Sequence, residues 1–283
     1  MFDQREALYG SHVPRVYGIV QSTNGINAKH CIERFIMPRF FIDESNINVN
    51  EGETTVTLTG DDAHHISRSL RMAAGEKIEA CDKSGTVYLC ELVSFLEKEV
   101  IARVIESSYA ESEPPTKITL YQALPKGDKM ETIIQKTVEC GVSRIVPFRS
   151  EHCIVKLDAK DGEKKRERWQ KISESAAKQS GRGIIPEVSA PLDFKIAIEE
   201  ALKCDLVLFC NEREKQRSLK DALCGTTAKS ISVIIGAEGG FSQKEADYIT
   251  EMGASSVSLG KRILRCETAP TFILSAIAYE TEL

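Results

Sequence analysis

The period of apolar and polar positions changes once along the chain, and that change divides it. From residue 37 to about residue 106 short apolar runs alternate with polar ones. "TTVTLTG" puts Val56 and Leu58 on one side, "KIEACDKSGTVYLCEL" reads as two strands around a Ser84-Gly85 turn, and "EVIARVIES" aligns Val100, Ala102 and Val104. Between the first two, "DDAHHISRSLRMAAGE" reads as a short helix carrying Arg68 and Arg71. A small β-rich domain is predicted over 37–106. The next segment, 107–117, is polar and acidic and contains Pro114-Pro115, which removes two backbone donors; it is predicted to be a linker.

From residue 118 the pattern becomes strand, helix, strand, helix. "ITLYQAL" is an apolar strand, and Asp128 and Glu131 sit at capping-box spacing before Met130, Ile133, Ile134 and Val138 recur on one helical face. "RIVPF" is the next strand, followed by a long polar helix over about 162–180 and a shorter one over about 194–203. "DLVLFC" and "ISVIIG" are continuous apolar runs, the form a strand takes when both faces are covered. Ser242 and Glu245 form a capping box, "SSVSLG" is a further strand, and the last helix begins near Pro270. The alternation predicts an α/β domain on a mostly parallel sheet over 118–283.

Composition changes this picture little. The chain has 283 residues, 42% hydrophobic and 28% charged, as an ordinary globular protein does. Its formal net charge of −5 means that binding to a polyanion needs a local basic patch. The nine cysteines form no CxxC pair, and only His64 and His65 of the five histidines lie together, so no metal site is expected. No apolar stretch approaches the roughly 20 residues of a membrane span. Residues 1–36 lack a basic start followed by an apolar core, so they do not read as a secretory signal. They are polar and without sustained period, whereas "MPRFFIDES" from Met37 looks like a second beginning; 1–36 is expected to be an extension outside the fold.

Two segments carry candidate chemistry. In an open parallel sheet ligands bind at the carboxyl ends of strands. "IIGAEGGFS" is such an end: an apolar strand breaks into Gly236, Ala237, Glu238, Gly239 and Gly240 before a capped helix. A tight strand-to-helix turn explains the glycines equally well. Neither a phosphate loop nor GxGxxG is present, which favours a nucleoside held by backbone amides without a phosphate. "LGKRILRCETAPTF" is the second end. Glu267 and Thr268 fit a helix start there, whereas the apolar pair Ile263-Leu264 in a basic loop fits a pocket wall.

The pattern of GAEGG followed by LGxRILRxETA, in this order and spacing, resembles the SPOUT superfamily of S-adenosylmethionine methyltransferases. More closely, the chain resembles the ribosomal RNA family that methylates a uridine of 16S ribosomal RNA at ring N(3). "MPRFF", "DDAHHISRSLRMAAGE", "KGDKMETIIQKTVECGV" and "SAAKQSGR" extend the resemblance over nearly everything from Met37 onward. The family begins at the equivalent of Met37, so 1–36 inherits no role from it.

The resemblance implies an α/β fold in which a SPOUT parallel-sheet domain with a C-terminal deep trefoil knot follows a small PUA-like, RNA-binding β-barrel. It implies S-adenosylmethionine as cofactor, small-subunit ribosomal RNA as partner, a homodimer paired across the knot, and a cytoplasmic location. By the same carry-over Gly236 to Gly240, Leu259, Gly260, Ile263, Leu264, Arg265 and Thr268 surround the cofactor, and Phe209 to Glu212 supply a third wall. Removing the imino proton of uridine calls for a base, or for donors that stabilise the anion. Arg182 and Arg265 are the candidate donors, facing the uracil carbonyls or nearby phosphates, and Glu267 is the candidate base. Surface ion pairs are the competing reading for both arginines, and the helix-start role for Glu267. Arg39, His64, His65, Arg68, Arg71, Arg182 and Arg262 are candidate RNA contacts. The rival function is a non-catalytic RNA-binding or ribosome-assembly factor of the same fold; an ordinary nucleotide-dependent enzyme is disfavoured by the missing phosphate motifs.

Overall fold

The computed structural model describes residues 37–283 apart from Glu51 and Lys156; the expected extension at 1–36 lies outside the described residues. Pro38–Leu283 forms one compact unit built on two sheets.

The first sheet contains β1 (Arg39–Phe41), β2 (Ile47–Asn50), β3 (Glu53–Thr59), β4 (Lys77–Cys81), β5 (Thr86–Phe95) and β6 (Glu99–Tyr109), in the order β1-β4-β5-β6-β3-β2. Only the β1–β4 pair is parallel. The alternation predicted for this region places Val56, Leu58, Ile78, Leu92, Val100 and Ala102 in one buried cluster. Two details differ from the sequence expectation. Strand β6 runs on to Tyr109 because its pairing with β5 continues through Ser107, Ser108 and Tyr109, so the expected boundary at 106 falls inside a strand. The predicted helix is α1 (Gly60–His64) followed directly by a π-turn (His65–Ser69), and Arg71 lies beyond it in the left-handed region at φ 53°.

The second sheet holds β7 (Lys117–Ala123), β8 (Arg144–Arg149), β9 (Glu187–Val188), β10 (Leu192–Asp193), β11 (Leu206–Cys210), β12 (Ser230–Ile235) and β13 (Ser255–Val257). Its path is β10-β8-β7-β12-β11-β13, with β9 beside β8, and every pair is parallel. The helices are α2 (Lys129–Glu139), α3 (Ala159–Ser180), α4 (Phe194–Ala201), α5 (Leu219–Leu223), α6 (Gln243–Glu251) and α7 (Thr268–Glu282). Ile133 of α2, Trp169 of α3 and Ile273 of α7 pack with Ile118, Leu120 and Val233 on one face. Ile198 of α4 and Ile249 of α6 pack with Tyr121, Phe209 and Ile234 on the other. Burial of both faces explains the unbroken apolar runs of β11 and β12.

The capping box of Ser242 and Glu245 is present. At α2 the expectation fails: Asp128 occupies the cap position without a side-chain bond, and Glu131 pairs instead with Arg168 at 2.7 Å. Helix α3 starts three residues before expectation because Asp158 caps it, accepting from Asp161 N at 2.7 Å.

Candidate functional site

Because the second sheet is parallel throughout, the segments that leave the neighbouring strands β7, β12, β11 and β13 all emerge at one edge. Those segments enclose a cleft of about 490 Å³. Its first wall is the turn after β12. Gly240 N donates to Ala237 O at 3.0 Å, and Gln122 Nε2, from the end of β7, donates to Gly236 O at 3.1 Å. The turn favours glycine at two points, more strongly at Gly240. A Cβ at Gly236 would lie 3.1 Å from Gly240 Cα, and one at Gly240, already at φ 61°, would lie 2.8 Å from Glu212 Oε1. Glu212, just beyond β11, thus packs against the turn and forms the third wall with Cys210 and Asn211.

The second wall is the segment after β13. Gly260 turns it at φ 109°, and Gly260 N donates to Ser258 Oγ at 3.2 Å. Leu259 and Leu264 are half-buried against the core below. Among the described residues, none of the backbone N–H groups of 261–266 has a hydrogen-bond acceptor. Residues 261, 262, 263 and 265 are exposed, so their amides are open to solvent and to whatever enters the cleft.

A lysine that the sequence reading passed over joins the two walls. Lys129, the first residue of α2, places Nζ 2.8 Å from Glu238 Oε1 in the glycine turn and 3.4 Å from Glu267 Oε2 at the start of α7. Glu238 also accepts from Lys126 N at 3.2 Å. Burial alone would raise the Glu238 carboxyl, but the Lys129 hydrogen bond and backbone donors hold it below the usual carboxylate range. Glu267 is likewise lowered: burial acts upward, and backbone bonding, the Cys266 thiol and the Lys129 charge outweigh it. Burial pushes the Cys266 thiol up to about 12, so it is a neutral donor to Glu267 Oε2 at 3.2 Å. Carboxylates of Glu212 and Glu238 therefore face the cleft, while Lys261, Arg262 and Arg265 stand exposed on its rim. Apolar walls, peptide donors and inward carboxylates suit a positively charged nucleoside.

Most of the expected cofactor residues line the cleft: Gly236, Ala237, Glu238, Gly240, Leu259, Gly260, Ile263, Leu264, Arg265 and Glu212. Three stand behind it. Phe209 is wholly buried and supports Phe241 edge-on, the centroids 5.2 Å apart. Gly239 faces His152, whose Nδ1 lies 2.8 Å from Gly239 O, and Thr268 opens α7. Cys210 and Asn211 fall within the expected third wall, whereas Lys129, Ser258 and Phe241 were missed, because nothing in their local spacing marks them; only the sheet order brings them to one edge.

The candidate cations divide sharply. Arg265 is 85% exposed beside the cleft, with Nη1 4.0 Å from Glu267 Oε1. His64, His65, Arg68 and Arg71 are exposed along α1 and the turn after it. Arg182 corrects the sequence reading: its side chain is only 4% exposed, its Nε and Nη2 donate to both oxygens of Glu113 at 2.9 and 2.7 Å, and its Nη1 donates to Val138 O and Val142 O. A guanidinium so engaged cannot also face a uracil or a phosphate. Arg39 is a second correction. It donates to Glu79 Oε2 at 2.9 and 2.6 Å and to Gly181 O, so it ties the first sheet to the end of α3. Glu267 occupies the cap position of α7 without a capping bond, its carboxylate being taken by Cys266 and Lys129.

Residues 112–278 match the model of an RNA methyltransferase domain, and 58–105 that of an RNA methyltransferase PUA domain. The chain is 38% identical to the ribosomal RNA small subunit methyltransferase E of Bacillus subtilis, covering 87% of this chain and 98% of that protein. It is 35% identical to the protein of that name from Mesomycoplasma hyopneumoniae, covering 84% and 98%. Among solved structures, the ribosomal RNA small subunit methyltransferase E of Neisseria gonorrhoeae bound to S-adenosyl methionine superimposes with a TM-score of 0.74 at 32% identity, covering 86% and 97%.

Proposed function

The chain belongs to the ribosomal RNA small subunit methyltransferase E family, and on that premise we propose that it transfers the methyl group of S-adenosylmethionine to ring N(3) of a uridine in 16S ribosomal RNA. The observation that carries the reading is the cleft at the strand ends, where the glycine turn, with Glu238 paired to Lys129, and the segment 258–266 line one cavity. S-adenosylmethionine, when bound, supplies an electrophilic methyl group on a sulfonium. The carboxylates of Glu212 and Glu238 complement that positive charge, and the amides complement the polar edge of its nucleoside. Transfer then depends on holding the nucleophile in line.

For the imino proton, the lowered pKa of Glu267 makes it a weak base, because proton transfer is most effective when the base is matched to the working pH. Arg265 is one of three cations exposed at the cleft, the others being Lys261 and Arg262, and we assign it the stabilisation of the uracil anion. The first sheet, with His64, His65, Arg68 and Arg71 exposed, takes the role of RNA holder, and Arg262 adds a contact at the rim. The trefoil knot, pairing of two copies across it, and a cytoplasmic location belong to the same reading. Exposed Ile263 at 92%, with Phe272 and Tyr279 on α7, supports a face that a second copy covers.

Incubation with labelled S-adenosylmethionine and unmethylated small ribosomal subunits, followed by mapping, is expected to put the label on one uridine N(3). RNA that stays unlabelled while the subunits still bind would favour an assembly factor without turnover.

A further inference from the structure

We propose that the groove between α2 and α3 is a track for the ribosomal RNA backbone, leading from the first sheet to the cofactor cleft; the proposal rests on the methyltransferase reading above. Helices α2 and α3 run in the same direction. Arg168 of α3 pairs with Glu131 in the first turn of α2, and Arg182 just beyond α3 reaches the carbonyls of Val138 and Val142 at the end of α2. The start of α2 is at the cleft, because Lys129 lines it. The end of α3 is at the first sheet, where Lys178 Nζ lies 3.2 Å from Asp62 and Arg39 donates to Gly181 O. A groove of about 360 Å³ lies between the helices along this route.

The groove is floored by apolar side chains, and its rim carries the donors a phosphate chain would meet. Gln135, Arg168, Lys171, Ser175 and Gln179 offer donors over an apolar floor of Ile172, and no carboxylate lines it. On α3, Lys160, Lys164, Arg168 and Lys171 recur at i, i+4, i+8 and i+11, which puts them on one stripe, and all four are exposed. Their span is about 16 Å at the helical rise. Among the described residues Lys160, Lys164 and Lys171 have no ion-pair partner. Of the acids of the helix, Glu163 pairs with Arg166 at 2.6 Å and Glu174 with Lys178 at 2.9 Å, while Glu167 lies beside the stripe, three residues after Lys164 and four before Lys171, so the four cations leave the stripe net positive. In a chain of net charge −5 this is the local concentration of positive charge that a polyanion requires.

The test is the double reversal Lys164→Glu with Lys171→Glu, assayed with labelled S-adenosylmethionine and unmethylated small subunits. The expected result is a rise in KM for subunits of about tenfold or more and a salt slope lower by about two, with kcat and the Kd for S-adenosylmethionine unchanged. Arginine at both positions should restore KM, and Lys195→Glu on α4, across the sheet, should leave it alone. Unchanged KM and salt slope in the double reversal would overturn the track. So would a shift of the variant from dimer to monomer in sedimentation, which would make the groove a contact between copies. Failure of the wild-type protein to label RNA is a different result, and sinks the methyltransferase reading itself.

Discussion

Arg265 and Glu267 stand two residues apart and do different work. Arg265→Ala is expected to lower kcat about a hundredfold, the usual cost of losing a donor aimed at developing charge, with cofactor affinity unchanged in calorimetry. Glu267→Gln should cost far less, because a carboxylate paired with Lys129 and bonded by the Cys266 thiol is a poor acceptor for the proton. Lys129→Ala leaves Glu238 and Glu267 facing each other without their shared cation, and should weaken S-adenosylmethionine binding about tenfold. The sign of the pH dependence follows from the same contacts. Both carboxyls have pKa values lowered in the folded protein, so their ties to Lys129 are complete at neutral pH and are lost as pH falls through those lowered values. Cofactor affinity measured by titration should be insensitive to these two groups near neutral pH and should decline only below the ordinary glutamate range.

Among the elements, the glycine turn and the end of α3 show how unequally a sequence discloses its structure. The strands and helices of the second sheet were legible, since doubly covered strands leave continuous apolar runs and helices leave a 3.6-residue period. The turn at 236–240 was legible as a break, and its tolerance is now specific: Gly236→Ala puts a Cβ 3.1 Å from Gly240 Cα, which the turn must shift to accept, and should weaken cofactor binding while the protein stays folded by circular dichroism. Arg182 was misread for a physical reason. An arginine after "KQSG" has the spacing of a loop cation, and only the long-range approach of Glu113 and the end of α2 turns it into a buried hub. Glu113 also accepts from Gly183 N and Ile184 N, so Glu113→Gln or Arg182→Ala leaves a buried charge uncompensated. A loss of ~3–5 kcal/mol is expected, visible as a lower Tm in calorimetry. Lys129 was illegible for the same reason as Arg182: its partners are more than a hundred residues away along the chain.

For the molecule as a whole, the net charge of −5 leaves RNA binding to local patches of positive charge. Charge reversal at Arg68 and Arg71 should weaken binding of small subunits and flatten its salt dependence without changing the rate at saturation, as expected of contacts that position RNA without reading it. One junction governs how the two sheets act together. Arg39 and Ser112 both donate to Gly181 O, Arg182 and Glu113 lock the next residues, and Lys178 meets Asp62. With so many ties between them, the two regions proposed to meet RNA behave like the fixed jaws of a caliper. A target is then gauged by the distance between two of its parts, and RNA whose fold does not present both at that distance goes unmodified even when its local sequence is correct.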